Sequence, residues 1–387
     1  MRDIKIRVEK VEFVLMAISE NDVMTALARV IEPELHKDLV TLNMIKDLRI
    51  SGKDKNNVEF KIELTTPACP LKDVMDKDAR AELSKIAGMG AIEIGWSSNV
   101  GANAKMRGVV SMGAKNIIAV ASGKGGVGKS TVAVNLAIAL AQTGATVGLL
   151  DNDVYGPSIP VMIGHPSAEM MPDGRALPSV PQQNGKLIPI EKYGLKIFSI
   201  GFIYPPEAPL VWRGPMLHSA IRQFLQDVDW GDLDYLVIDM PPGTGDSHLS
   251  LAQVASGVMG VIVTTPQLVA MTDALKGLGA FEQLKIPMIG VIENMGPLTD
   301  PSTGQKYAPF GEGGGQKLAG MKNVPFLGSV PFEPTVRIGG DIGKPVVLSQ
   351  PESESAKALV AIAKQVAARV SVLNFTNNAQ PEINIIG

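Results

Sequence analysis

The chain has 387 residues, of which 45% are hydrophobic and 19% charged, with a formal net charge of −3. That length accommodates two domains with a large core in at least one; the near-neutral balance gives no footing for broad nucleic-acid binding, and a single cysteine excludes an internal disulfide framework. No run of about eighteen apolar residues suggests a membrane span, and MRDIKIRVEK lacks an apolar h-region, so a cytoplasmic protein is expected, with neither membrane nor nucleic acid as partner.

Residues 20–31 carry helical spacing, which Glu32-Pro33 ends. Strand-like patches at 39–50 and 57–64 flank the polar turn SGKDKNN, a second helix is expected over 71–87, and a strand at 91–96. Residues 1–97 thus read as a small α+β domain. The small, polar, Gly-rich stretch 98–114 reads as a linker. Over 115–370 the order strand, turn, helix repeats. NIIAVAS, TVGLLD, YLVIDM, VMGVIVTT and PMIGVIEN are continuous apolar runs without alternation, the pattern of parallel strands covered on both faces. The fold class is α/β: a doubly wound, mostly parallel sheet with a ligand expected at the carboxyl ends of its strands. The last helix is expected over 352–370, and 371–387 as a flexible tail.

Residues 122–131, SGKGGVGKST, fit the phosphate-binding loop pattern. Gly123, Gly125, Gly126, Val127 and Gly128 would turn backbone N–H groups toward phosphate oxygens at the positive end of the following helix, which Thr131 enters. Lys129 would reach the β- and γ-phosphates of ATP, and the Ser130 hydroxyl would ligate Mg²⁺. The same glycines also satisfy G-x-G-x-x-G after a strand, with Asp151 near the ribose-acid spacing of a dinucleotide fold. That fingerprint has no use for Lys129-Ser130, nor for a second metal-type aspartate at Asp239. Asp151 and Asp153 follow the second strand and Asp239 ends YLVIDM. Aspartates often cap helices or begin turns, but three of them at strand ends of one P-loop domain favour catalysis. Asp239 and Asp151 would support Mg²⁺, and Asp153 would orient the attacking water.

GKGGVGKST, LLDNDVYGPS, VWRGPM, DYLVIDMPPGTGD and VIENM, in that order, are similar to the Mrp/ApbC family. This is a branch of the deviant-P-loop ATPases that includes the MinD and ParA proteins. The resemblance covers about residues 113–368. EPELHKDLV and LTTPACPL, within 20–95, resemble the small domain often fused in front of such ATPases, whose free-standing relatives take part in iron–sulfur assembly. The resemblance implies an ATP-hydrolysing homodimer that carries or scaffolds iron–sulfur clusters and delivers them to apoproteins. It makes Lys124 the signature lysine that reaches the nucleotide of the partner subunit, and Asn294 the adenine-reading asparagine. Thr265-Pro266 and Val330-Pro331 would line the base pocket.

One element of that pattern is absent. The family carries C-x-x-C shortly after ENM, where the dimer binds a bridging cluster; here the segment reads ENMGPLTDPSTGQKYAPFGEGGGQ. Neutral hydroxyls are poor substitutes for thiolate. Cys69, in TTPACPL before a helix start, is the one thiol, readable as an iron or cluster ligand or as an inert half-buried cysteine. His36, His165, His218 and His248 are scattered without ligand spacing and read as surface or loop residues. Arg213 beside Trp212 is readable as a phosphate or partner contact, or as a structural turn. A metal-free nucleotide-switched adaptor therefore stays open. A positioning ATPase of the MinD/ParA kind is disfavoured, because the tail lacks basic residues.

Overall fold

The computed structural model describes residues 17–52, 56–103, 113–171, 176–183, 185–205, 214–243, 246–300 and 302–379. They fall into two compact units. One contains the residues up to Leu64 together with Leu71–Asn99, and the other Thr65–Pro70 with everything from Val100 onward.

The smaller unit is α+β, as expected. Its first helix, Glu20–Leu27, starts at a capping box in which Ser19 and Asp22 satisfy each other's backbone amides. It ends sooner than its periodicity suggests, because Ile31–Glu32 pairs with Lys37–Asp38 instead of continuing the helix. Strands Ile45–Ser51 and Asn57–Leu64 are antiparallel, and Ile92–Ser98 adds in parallel. Val58, Phe60, Ile62 and Leu64 are buried while the residues between them are not, the period of a sheet with one covered face. The helix Lys72–Leu83 buries Met75, Ala79 and Leu83.

The larger unit is built on eight strands. In spatial order they are Ile190–Lys192, Leu195–Ser199, Val147–Asp151, Tyr235–Asp239, Ile117–Ser122, Val258–Thr264, Met288–Gly296 and Phe326–Pro331. Every neighbouring pair is parallel except the hairpin of the first two. The central strands are buried along their whole length, which explains why their sequences do not alternate. The helix Lys129–Ala141 is apolar all round because the sheet and the last helix cover opposite sides of it.

Two further boundaries differ from expectation. The last helix runs over Glu354–Ala379, so 371–379 are helical rather than a flexible tail, and 380–387 lie outside the described residues. Ser371 and Asn374 are buried, and Asn374 Nδ2 donates to Asn116 Oδ1 at 2.7 Å and to the Gly101 carbonyl at 3.1 Å. The first part of the expected linker is likewise packed into the larger unit. Val100 and Asn103 are buried, and Asn103 Nδ2 donates to the Gly257 carbonyl. Contrary to the sequence reading, Glu354–Thr376 is long and apolar enough to cross a membrane by length and composition. In the fold its stripe of Leu359, Ile362, Val366 and Val370 is core, packed on the helix Lys129–Ala141 and the strand Phe326–Pro331.

Candidate nucleotide site

The sheet order places the strand Ile117–Ser122 beside Tyr235–Asp239, and that strand beside Val147–Asp151. Asp239 therefore pairs with Val120 on one side and Asp151 on the other. Residues more than a hundred positions apart in sequence meet at one edge of the sheet. The loop from Gly123 to Gly128 starts there and feeds the helix Lys129–Ala141. Gly128 has φ +81°, which suits glycine. Gly123 is required for another reason: a Cβ there would lie 2.1 Å from the backbone of Asp273. A Cβ on Gly125 would meet nothing within 4 Å, so the loop leaves open space on that side.

Lys129 is buried and its ammonium donates to Asp239 Oδ1 at 2.6 Å, with Asp153 Oδ2 at 3.5 Å and Ser130 Oγ at 3.3 Å. Burial pushes the Asp239 carboxyl above the usual carboxylate range, and the neighbouring Lys129 opposes that rise. Asp151 is raised to about 7, first by burial and then by the charge of Asp239; the Ser199 hydroxyl holds it lower. Its oxygens are fully engaged. Oδ1 accepts from the Asp153 amide, and Oδ2 from the Ile159 amide and Ser199 Oγ at 2.9 Å. Asp151 thus shapes the segment 152–159 that carries Asp153. Asp153 Oδ1 and Asp239 Oδ2 are buried without a hydrogen-bond partner. The Asp239 oxygen and the neighbouring Ser130 hydroxyl are hard-oxygen donors of the kind Mg²⁺ takes, and Asp153 Oδ1 remains open to a water, so the residues present fit that ion.

Asn294 is buried, and its Nδ2 donates to the Val127 carbonyl at 2.9 Å. It borders a cleft of about 500 Å³ lined by Gly128, Thr131, Pro331, Val336 and Arg337 among others. The cleft opens beside the glycine loop, with Gly128 and Thr131 in its wall. Val330 is core and Pro331 lines the cleft, but Thr265 and Pro266 are not part of its wall. Pro266 is instead covered by Gly314, whose Cβ would come 2.4 Å from its carbonyl oxygen. Lys124 is half-buried, and its carbonyl accepts from Ser122 Oγ at 2.9 Å.

The remaining sequence candidates lie elsewhere. Cys69 is half-buried in the turn Thr65–Pro70; there Thr66 Oγ1 accepts from the Ala68 amide and, at 3.1 Å, from the Tyr235 hydroxyl. Among the described residues no group of three or more His, Cys, Asp or Glu is placed to hold a metal ion. His248 is not a surface or loop residue: it is buried in the helix Asp246–Val254, edge-on to Phe281. His165 is half-buried, edge-on to Phe202. Trp212 and Arg213 lie outside the described residues. The segment lacking C-x-x-C forms a small hairpin, Leu298–Thr299 against Lys306–Tyr307, with Asp300 and Ser302 hydrogen-bonded at its tip. Sequence reasoning missed Ser199 and Glu293. The signal for Glu293 was a lone charge inside the apolar run VIEN.

Residues 113–367 match the family described as NUBPL iron-transfer P-loop NTPase. The chain belongs to that family. Residues 20–94 match a second family, described as iron-sulfur cluster assembly protein. A protein of Synechocystis named iron-sulfur cluster carrier protein is 48% identical, over 92% of this chain and 99% of its own. One of the same name from Deinococcus radiodurans is 45% identical, over 90% of this chain and 95% of its own. Among solved structures, a nucleotide-binding protein of Archaeoglobus fulgidus in complex with ADP shares 37% identity and a TM-score of 0.50, covering 60% of this chain and 88% of that one. As a member of this NTPase family the chain is a nucleotide-binding α/β protein.

Proposed function

We propose that this P-loop NTPase is an ATP-hydrolysing homodimer acting in the cytoplasm, which assembles iron–sulfur clusters and delivers them to apoproteins. In this reading residues 1–97 are an assembly-type domain and 115–370 the ATPase domain. The observation that carries the nucleotide half is the convergence of Lys129 on Asp239 and Asp153 beside an open glycine loop. Gly123 to Thr131 bind the phosphates, and Asn294 with Pro331 faces the base. Lys129 moves from Asp239 to the β- and γ-phosphate oxygens as the nucleotide enters. Asp153 orients a water that attacks the γ-phosphorus; the bond to the β-bridging oxygen breaks, leaving ADP and phosphate. Lys124 from the second subunit stabilises charge on the transferring group. Ser130 and Asp239, with Asp151 behind them, would hold Mg²⁺, which supplies charge neutralisation at the phosphates.

The cargo half rests on the names of the relatives and on Cys69, the one thiol in the sequence. Two copies of Cys69 would supply two thiolate ligands in a dimer. The test is anaerobic reconstitution with iron and sulfide, read by visible absorption and iron per dimer, in wild type and Cys69→Ala. A cluster lost in the variant is the expected result. No cluster in either protein overturns the cargo reading. It would favour the second reading, a metal-free nucleotide-switched adaptor, to which the cysteine-free hairpin at 298–307 already gives a specific observation.

A further inference from the structure

The strand Met288–Gly296 shifts register against Phe326–Pro331 at two points, between Val291 and Ile292 and again after Glu293. Glu293 lies opposite Ser329, but the next match is Gly296 opposite Pro331, so one strand carries an extra residue over that step. The surplus falls in Asn294-Met295, and Met295 takes φ +57°, a left-handed conformation that is uncommon for a side chain of its size. Bulges of this kind re-aim side chains. Here Asn294 is turned from the ladder toward the phosphate loop and the cleft.

Glu293 is the residue immediately before that bulge. It is 2% exposed, and both its oxygens are used. Oε1 accepts from Ser329 Oγ at 2.9 Å, and Oε2 accepts from the Gly315 amide at 2.8 Å, in the first turn of the helix Gly314–Lys322. Two glycines pack closely around this clamp. A Cβ on Gly315 would stand 2.7 Å from the Glu293 Cβ, and one on Gly296 would stand 2.0 Å from Ser329 Oγ. A buried carboxylate bonded on both sides fixes its backbone far more firmly than a ladder alone, because losing either donor leaves a desolvated acceptor.

We infer that Glu293 is a positioning residue for base selection: its clamp on Ser329 and Gly315 holds the bulge that aims Asn294 at the base. This rests on the proposed reading that Asn294 faces the base. One N–H of Nδ2 is committed to the Val127 carbonyl, which fixes which way the amide faces and leaves Oδ1 and the second N–H to a ligand. In that fixed orientation Oδ1 accepts from the amino group of adenine, whereas the carbonyl oxygen of guanine at the same ring position would oppose it. The clamp is therefore a determinant of specificity rather than of phosphate affinity.

The test is calorimetric titration of the full chain with ADP and with GDP, in wild type, Asn294→Ala, Glu293→Gln and Ser329→Ala. The readout is the ratio of the two dissociation constants, which loss of stability alone does not change. Wild type should prefer ADP, and the preference should fall at least about tenfold in Asn294→Ala and Glu293→Gln, and by a smaller factor in Ser329→Ala. Ser329→Ala removes only one hydroxyl donor and keeps the test in force if Glu293→Gln does not fold. If Asn294→Ala loses the preference while Glu293→Gln and Ser329→Ala retain it, the clamp is overturned and the base reading stands. If Asn294→Ala retains it, the base reading itself fails, and the clamp with it.

Discussion

Two residues define what the site costs the protein in stability. Lys129 is the only cation within ion-pair distance of Asp239 and Asp153 among the described residues. Replacing it with Ala leaves Asp239 buried with no counter-charge beside an already crowded Asp151. Breaking a buried pair from one side costs about 3–5 kcal/mol, so Lys129→Ala should lower unfolding stability by roughly that much as well as abolish nucleotide turnover. Chemical denaturation without nucleotide checks this, and unchanged stability would show that the pair contributes little. Asp151 gives a pH dependence with a definite sign. Its folded value, about 7, lies above the ordinary 3.8, so the folded chain holds this proton more tightly than the unfolded one. The stability it contributes is complete below 3.8 and is lost as pH rises through about 7. Asp151→Asn keeps an amide that does not titrate. In EDTA without nucleotide, the midpoint temperature of wild type should fall relative to this variant between pH 5 and 8, by about 2–4 °C for each kcal/mol lost. Parallel profiles would sink the assignment.

At the scale of elements, local chemistry was legible and tertiary chemistry was not. The glycine loop and its lysine announce themselves within ten residues, because phosphate binding needs those residue types in sequence. Asp151 and Asp239 were legible because each ends a strand whose neighbour the fold class implies. The bulge at Asn294-Met295 depends on Glu293 meeting Ser329 and Gly315, a contact across three elements that no single window contains. The place of Thr265-Pro266 was illegible for the same reason: it follows a strand end, but Gly314 covers Pro266 and neither residue lines the cleft beside Asn294. The end of the last helix was misjudged because SVLNFTNNA is polar in composition. Ser371 and Asn374 are buried with specific partners, which composition does not reveal. Asn374 Nδ2 holds both Asn116 and Gly101. Asn374→Ala should therefore cost about 1–3 kcal/mol, a large effect for a residue expected in a flexible tail. Thermal unfolding decides it; a variant as stable as wild type would return the segment to a dispensable end.

At the scale of the whole molecule, the question is whether one chain holds a complete site. Within a single chain, Lys129, Asp153, Asp239 and Asn294 gather around the glycine loop. For Lys124 the described residues show only that its carbonyl tethers Ser122. If its ammonium serves the nucleotide of a second copy, the two inactivating variants Lys124→Ala and Asp153→Ala should complement each other. In a mixed dimer, the subunit lacking Lys124 keeps its own Asp153 and receives Lys124 from its partner, so one site is complete. Random mixing makes about half the dimers mixed, each with one working site, and should restore roughly a quarter of wild-type turnover from two nearly inactive preparations. Steady-state phosphate release after co-refolding or subunit exchange measures it. Recovery near that fraction requires a lysine acting across the interface. If the mixture shows only the summed activity of its parts, either Lys124 acts within its own chain or the copies never pair during turnover. Light scattering with bound ATP analogue separates those two, since only the second leaves the protein monomeric.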